Sequence, residues 1–330
     1  VTGLFSCAND ITLGRVVDRS LTIPEQRRHS LKDTLADIPR EATSGNEEFW
    51  AYIDSVTKNE ATSHNPNFKV TDVYGKEWRL KVHNDERRAK REAAANYYVG
   101  QKSHLIVPGW SPKPLQGEGV WITKQEEIPA IAQAPRSVDY WIKAFAWFHR
   151  EVQGIMRENG VELDHVTFRT ADEEEIRFRE GQKHNDYKFN RNQWEEDTGF
   201  LKESRYTTAI HNDPKCGIIL EGKNLVGGKF VDLETLADGN PSIDLAMLFV
   251  GYNVPEELWD AKLVEYVTWK GLDARYSSFD DELQELRQGI RHAARFTVGR
   301  EVVANSRYSL TTDVVENNDS MLMYVAKNIN

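Results

Sequence analysis

Two aspartates, Asp213 and Asp232, bracket a stretch in which apolar runs are separated by glycine turns. Gly217 to Leu220 and Lys229 to Leu233 have the composition of strands, and Gly222, Gly227 and Gly228 lie between them, so the spacing predicts a β-hairpin. Asp213 precedes the first run and Asp232 closes the second, which brings both carboxylates to one edge of the hairpin. A pair so placed suits a general base and a metal ligand. Glu234, two residues beyond Asp232, falls on the same side of an extended strand and adds a further oxygen ligand. Asp244, near the start of the helix-like run Asp244 to Phe249, is placed to cap backbone N–H groups behind the loop.

A lysine and a glutamate lie upstream. Phe68 to Val73 and Glu77 to Val82 alternate apolar and polar residues around Tyr74-Gly75 and read as an antiparallel pair, with Lys81 on the second strand. Glu92 follows in the alanine-rich helical run Arg87 to Val99. Taken alone, such a lysine and glutamate are an ordinary solvated ion pair.

Taken together, these residues resemble the aminoglycoside phosphotransferase and choline kinase branch of the protein-kinase-like superfamily. His211, Asn212, Asp213, Asp232, Glu234 and Asp244-Leu245-Ala246 match its signature in order, and Leu80-Lys81-Val82 with Arg91-Glu92 resemble its strand lysine and helix glutamate. The resemblance spans about residues 60 to 300 and is most specific at 209 to 248. It implies an α+β, two-lobed protein-kinase-like fold: a small, mainly antiparallel β lobe with one helix, and a large, mostly helical lobe. The implied division is an N-terminal extension at 1–45, a nucleotide-binding lobe at 46–127 and a catalytic and acceptor-binding lobe at 128–330.

The resemblance also implies chemistry. ATP and Mg2+ are the expected cofactors, and the expected reaction is phosphoryl transfer to a hydroxyl of a small molecule such as an aminoglycoside, an amino alcohol or a sugar. Asp213 is the implied base. Lys81 would contact the α- and β-phosphates and be held by Glu92, Asp232 and Glu234 would hold the metal, and His211, Asn212 and Asp244 would brace the loop. Two positions depart from the pattern. Ile218 stands where the family has a magnesium-holding asparagine, and Ser63-His64-Asn65-Pro66-Asn67 contains no glycine where a phosphate-covering turn is expected. These departures keep two other readings open: a pseudokinase that binds a nucleotide or a partner without turnover, and a kinase-fold transferase with a different nucleotide reaction.

The positioning elements follow from periodicity. Glu47 to Val56 places Phe49, Trp50, Ile53 and Val56 at helical intervals, and a short amphipathic helix is expected. Leu105 to Val107 and Val120 to Thr123 read as further strands, giving a five-stranded small lobe, and Lys124 to Glu127 falls at the interlobe hinge or forms a solvated loop. From Ser137, the residues Val138, Trp141, Ile142, Phe145, Phe148 and Val152 recur at steps of three and four and predict a long core helix in which His149 is structural. Pro255 to Trp269 and Asp280 to Val298 read as helices, the second capped at Ser278 to Asp281.

Charge and cysteine content limit the partners. With 42 basic and 52 acidic residues the net charge is −10, a field that repels nucleic acid and anionic membranes. The acidic segment Asp164 to Lys202 either shapes a site for a cationic acceptor or forms solvated helix faces. The cysteines, Cys7 and Cys216, suggest no disulfide framework, and the N-terminus shows no secretory leader, so a reducing cytoplasm is the expected location.

Overall fold

A computed structural model describes residues 47–50, 53–58, 67–128, 136–181, 189–214, 225–308, 321 and 323–324. The expected N-terminal extension lies outside them. A short helix α1 (Glu47–Trp50) precedes β1 (Ile53–Lys58), β2 (Asn67–Asp72) and β3 (Glu77–His83). Helix α2 (Glu86–Ala94) continues through a π-helical turn (Ala95–Val99), and β4 (Leu115–Gln116) and β5 (Trp121–Glu126) complete an antiparallel sheet of order β1-β2-β3-β5-β4. Alternation along β2 and β3 sends Phe68, Val70, Trp78, Leu80 and Val82 into an apolar cluster with Phe49 and Trp50. The intervening residues of β3, Lys81 and His83, therefore face the other way.

The sheet has five strands, as expected, but two of them were misread. Glu47 to Val56 is not one helix: α1 ends at Trp50, and Ile53 begins an edge strand. A register shift between Ile53 and Ser55 explains the misreading. The irregularity lets Ile53 and Val56, three residues apart, pack against the same cluster, so a bulged strand imitates helical spacing. Leu105 to Val107 is not a sheet strand either. Ile106 makes a single parallel bridge to Phe230, and the buried run packs where the two lobes meet, leaving the edge position to β4.

The larger lobe is built on α3 (Val138–Glu158), whose N-cap Ser137 accepts a hydrogen bond from the Tyr140 N–H and whose face buries Trp141, Ile142, Phe145, Phe148 and Val152. Around it pack α4 (Ala171–Gly181), α5 (Arg191–Glu203), α6 (Ser242–Gly251), α7 (Glu256–Lys270) and α8 (Phe279–Tyr308). Asp281 N–H donates to Ser278 Oγ at the start of α8, at the expected cap. Short strands β6 (Thr208–Ile210) and β9 (Ala237–Gly239) pair with each other, and β7 (Leu225–Val226) pairs with β8 (Lys229–Phe230). The β7–β8 turn is Gly227-Gly228, with φ of 60° and 83°, the doubly left-handed turn that glycine permits. Thus β8 pairs with 225–226; residues 217–220 lie outside the described residues. Among the described residues no helix is long and apolar enough to cross a membrane.

Candidate active site

Lys81 meets three carboxylates. Its ammonium lies 3.2 Å from Glu92 Oε2 and 2.8 Å from Glu234 Oε2, and it also pairs with Asp232. Glu92 reaches it because α2, capped by Asp85 accepting from the Arg88 N–H, crosses the inner face of the sheet with Ala89, Glu92 and Ala93 buried. Burial works against the charge on Lys81, but Glu92, Asp232 and Glu234 outweigh it and raise its pKa. Burial pushes Glu234 up, yet its contacts with His83 and Lys81 prevail and hold it at about 2. Asp232 moves upward, through burial first and then repulsion from Glu92 and Glu234 that the nearby Lys81 does not offset.

Asp232 and Glu234 arrive by a route different from the expected strand. The strand stops at Phe230; Asp232 is left-handed at φ 61°, and Leu233–Thr235 is a 3-10 turn. Aspartate tolerates this conformation better than most residues. The reversal gathers both carboxylates on Lys81, which an extended Asp-x-Glu segment would have achieved by alternation.

A second group surrounds the loop after β6. The Asp244 carboxylate, fully buried on α6, accepts from the N–H groups of His211 (2.7 Å) and Asn212 (2.8 Å). Its Oδ2 also lies 3.1 Å from Nε2 of His149, whose Nδ1 is 2.8 Å from the Tyr266 hydroxyl. Burial lowers the pKa of His149 despite Asp244. Asn212 is left-handed at φ 63°, and the next residue, Asp213, is half-buried. His211 joins the two groups: its Nε2 donates to the Val231 carbonyl at 2.8 Å, and its carbonyl accepts from Thr235 Oγ1 at 2.8 Å. The loop carrying Asp213 is thereby tied to both sides of the Asp232 turn.

Sequence reasoning missed two contributors. His83 lies between Glu92 and Glu234, and its position two residues from Lys81 on one strand was the available signal. Arg300 on α8 donates to Asn212 from 88 positions away, a distance no local pattern bridges. Two acids of the segment 164–202 prove to be internal: Glu174 is paired with Arg177, and Asp197 with Arg295 and His292. Lys124 to Glu126 belong to β5, and Glu127 beyond it accepts a two-pronged contact from Arg79. Ile218, Cys216 and residues 63–66 lie outside the described residues.

No protein-family model matches the sequence, and no curated protein does. Solved structures do match by shape. The amicoumacin kinase hAmiN, in complex with AMP-PNP, Ca2+ and Ami, aligns over 92% of this chain and 94% of its own, with a TM-score of 0.53 and 12% identity. The choline kinase LicA from Streptococcus pneumoniae covers 85% of this chain and 97% of its own at 13% identity and a TM-score of 0.49. The Plasmodium vivax ethanolamine kinase covers 92% and 93% at 11% identity, also with a TM-score of 0.49. At these identities the likeness speaks to fold, and the first of the three carries it: the chain has a two-lobed, protein-kinase-like fold. The aminoglycoside phosphotransferase and choline kinase branch that the motifs resemble is the one represented among these neighbours.

Proposed function

We propose that this chain transfers the γ-phosphoryl group of ATP to a hydroxyl of a small molecule, with residues 46–127 serving the nucleotide and 128–330 the acceptor. The observation that carries the reading is the convergence of Lys81, Glu92, Asp232 and Glu234 in one charge cluster, tied through His211 to the loop of Asp213. Small-molecule kinases among the structural neighbours support the phosphotransferase class.

The cluster fits a magnesium ion. Asp232 and Glu234 supply hard oxygen donors, and with Glu92 they set three carboxylates against the single ammonium of Lys81, an excess of negative charge that a divalent cation offsets. Asp232 and Glu234 would hold the ion, which when bound neutralises charge on the phosphates.

The remaining work falls to the chain itself. Asp213 accepts the proton of the acceptor hydroxyl as its oxygen attacks the γ-phosphorus; the bond from that phosphorus to the bridging oxygen breaks, and ADP leaves with the electron pair. Lys81 donates to phosphate oxygens while Glu92 fixes its position. Asp244 and His211 keep the loop in place.

A second reading, nucleotide binding without turnover, has its own observation. An ammonium has three N–H donors, and the three carboxylates around Lys81 engage them all. Incubation with γ-labelled ATP and a panel of amino alcohols, sugars and aminoglycosides, with and without magnesium, tests both. Magnesium-dependent label in an acceptor is expected; nucleotide binding with no transfer to any acceptor would favour the second reading.

A further inference from the structure

The environment of His83 is more demanding than that of an ordinary core histidine. Its side chain is 1% exposed, with Nε2 at 3.0 Å from Thr123 Oγ1 and 3.2 Å from Glu92 Oε2, while Nδ1 lies 3.3 Å from Glu234 Oε2. Neither Nδ1 nor Glu92 Oε2 has a hydrogen-bond partner of acceptable geometry. A neutral imidazole carries one N–H. If Nε2 holds it for Thr123 or Glu92, the Nδ1 lone pair faces a carboxylate oxygen, and two acceptors at that distance require a cation between them.

We propose that His83, Glu92 and Glu234 form a site for a transition-series divalent cation that accepts imidazole, such as Zn2+ or Co2+, distinct from the magnesium position at Asp232 and Glu234. One ligand atom from each of the three residues lies within 4.8 Å of the other two. With metal–ligand bonds of about 2.1 Å, neighbouring ligand atoms in a tetrahedral shell stand about 3.4 Å apart. The 3.3 Å between Nδ1 and Glu234 Oε2 matches one edge of such a shell. A nitrogen donor selects against magnesium, which takes oxygen ligands, and in favour of ions that imidazole suits.

The ion competes with Lys81. The ammonium contacts the same two oxygens, Glu92 Oε2 and Glu234 Oε2, so metal and lysine exclude one another there. Occupation would pull the phosphate-binding lysine out of its seat, making the site inhibitory toward the proposed transfer. Binding itself does not depend on that activity. The other cluster with metal-ligand character, Glu196, Asp197 and His292, differs because Arg295 already holds Asp197 through both carboxylate oxygens.

The test is titration of the full chain with Co2+ in the absence of nucleotide, read by visible absorption and calorimetry with magnesium in excess. The parent should bind with a nitrogen-ligand spectrum. His83→Ala and the more conservative His83→Gln, each checked for folding by circular dichroism, should weaken binding at least about tenfold, a loss that even an outer-shell partner causes. His292→Ala should leave it unchanged, and Lys81→Ala should tighten it. The proposal fails if the parent binds no Co2+, if both His83 variants bind as the parent does, or if only His292→Ala abolishes binding; a proton then bridges Nδ1 and Glu234. Absence of phosphoryl transfer, by contrast, would count against the kinase reading and leave this measurement intact.

Discussion

Arg300 grips Asn212 with both terminal nitrogens, Nη1 on the side-chain oxygen and Nη2 on the main-chain oxygen, each at 3.1 Å. The last long helix thus holds the residue immediately before Asp213 in its left-handed conformation. Arg300→Met should remove both bonds while keeping much of the apolar stem. A charge-assisted hydrogen bond contributes about 1.5–3 kcal/mol, so a stability loss of that order is expected in urea denaturation. Transfer should slow while nucleotide affinity holds; an unchanged rate would show that the loop does not need this grip.

Asp213→Asn should reduce phosphoryl transfer by about 10²–10⁴-fold, the range of a positioned general base, and leave nucleotide binding nearly intact. Steady-state turnover within about a factor of two of the parent would remove Asp213 from that role.

Lys81→Ala should act on the nucleotide instead. Losing a charge-assisted phosphate contact weakens ATP binding or its productive placement. Calorimetric titration and turnover that both match the parent would exclude Lys81 from the site.

Asp244→Ala strips an acceptor from two backbone N–H groups and from His149, all of them enclosed by protein. Each buried donor left unsatisfied costs about 1–3 kcal/mol, so a loss of several kcal/mol is expected in denaturant. A loss below about 1 kcal/mol would mean that the loop is held elsewhere.

Lys124 gives a pH signature on the opposite face of the sheet. Its ammonium lies 4.2 Å from the centre of Trp78, 4.9 Å from Trp110 and 5.1 Å from Phe49. Burial lowers its pKa to about 8 in spite of Asp72. The folded value lies below the unfolded one, so the unfolded chain binds more protons between pH 8 and 10.5 and this group's contribution to stability rises with pH across that window. The stability difference between parent and Lys124→Met should therefore shift in the parent's favour from pH 8 to 10.5. A constant difference in urea midpoints would refute the depressed value.

The sequence revealed what lies in contiguous patterns. Ser137 and the apolar steps after it gave α3, and the order of Lys81, Glu92, Asp213 and Asp232 pointed to a two-lobed fold before any geometry was in hand. What escaped was of two kinds. Ile53 and Val56 misled because a bulge in a strand reproduces a helical interval. Arg300 and the His149–Tyr266 contact were invisible because each joins residues about a hundred positions apart or more, where only the folded chain supplies the relation. His83 was in view beside Lys81, but nothing on its own strand shows the two carboxylates that α2 and the turn after β8 bring to it.

The π-helical turn at Ala95–Val99 separates two kinds of attachment along one helix. Upstream, Glu92 addresses the charge cluster; within the turn, Asn96 donates to Gln125 at 2.8 Å, and its carbonyl accepts from the Gly109 N–H at 2.9 Å. Such a turn stores an extra residue in the helix, and deleting one would rotate everything downstream by about 100° while leaving Glu92 in register. The loop that enters β5 and the residues that face Lys81 are therefore separately adjustable: in descent or in redesign, a length change at this turn would re-aim the connection between the lobes without disturbing the ion pair.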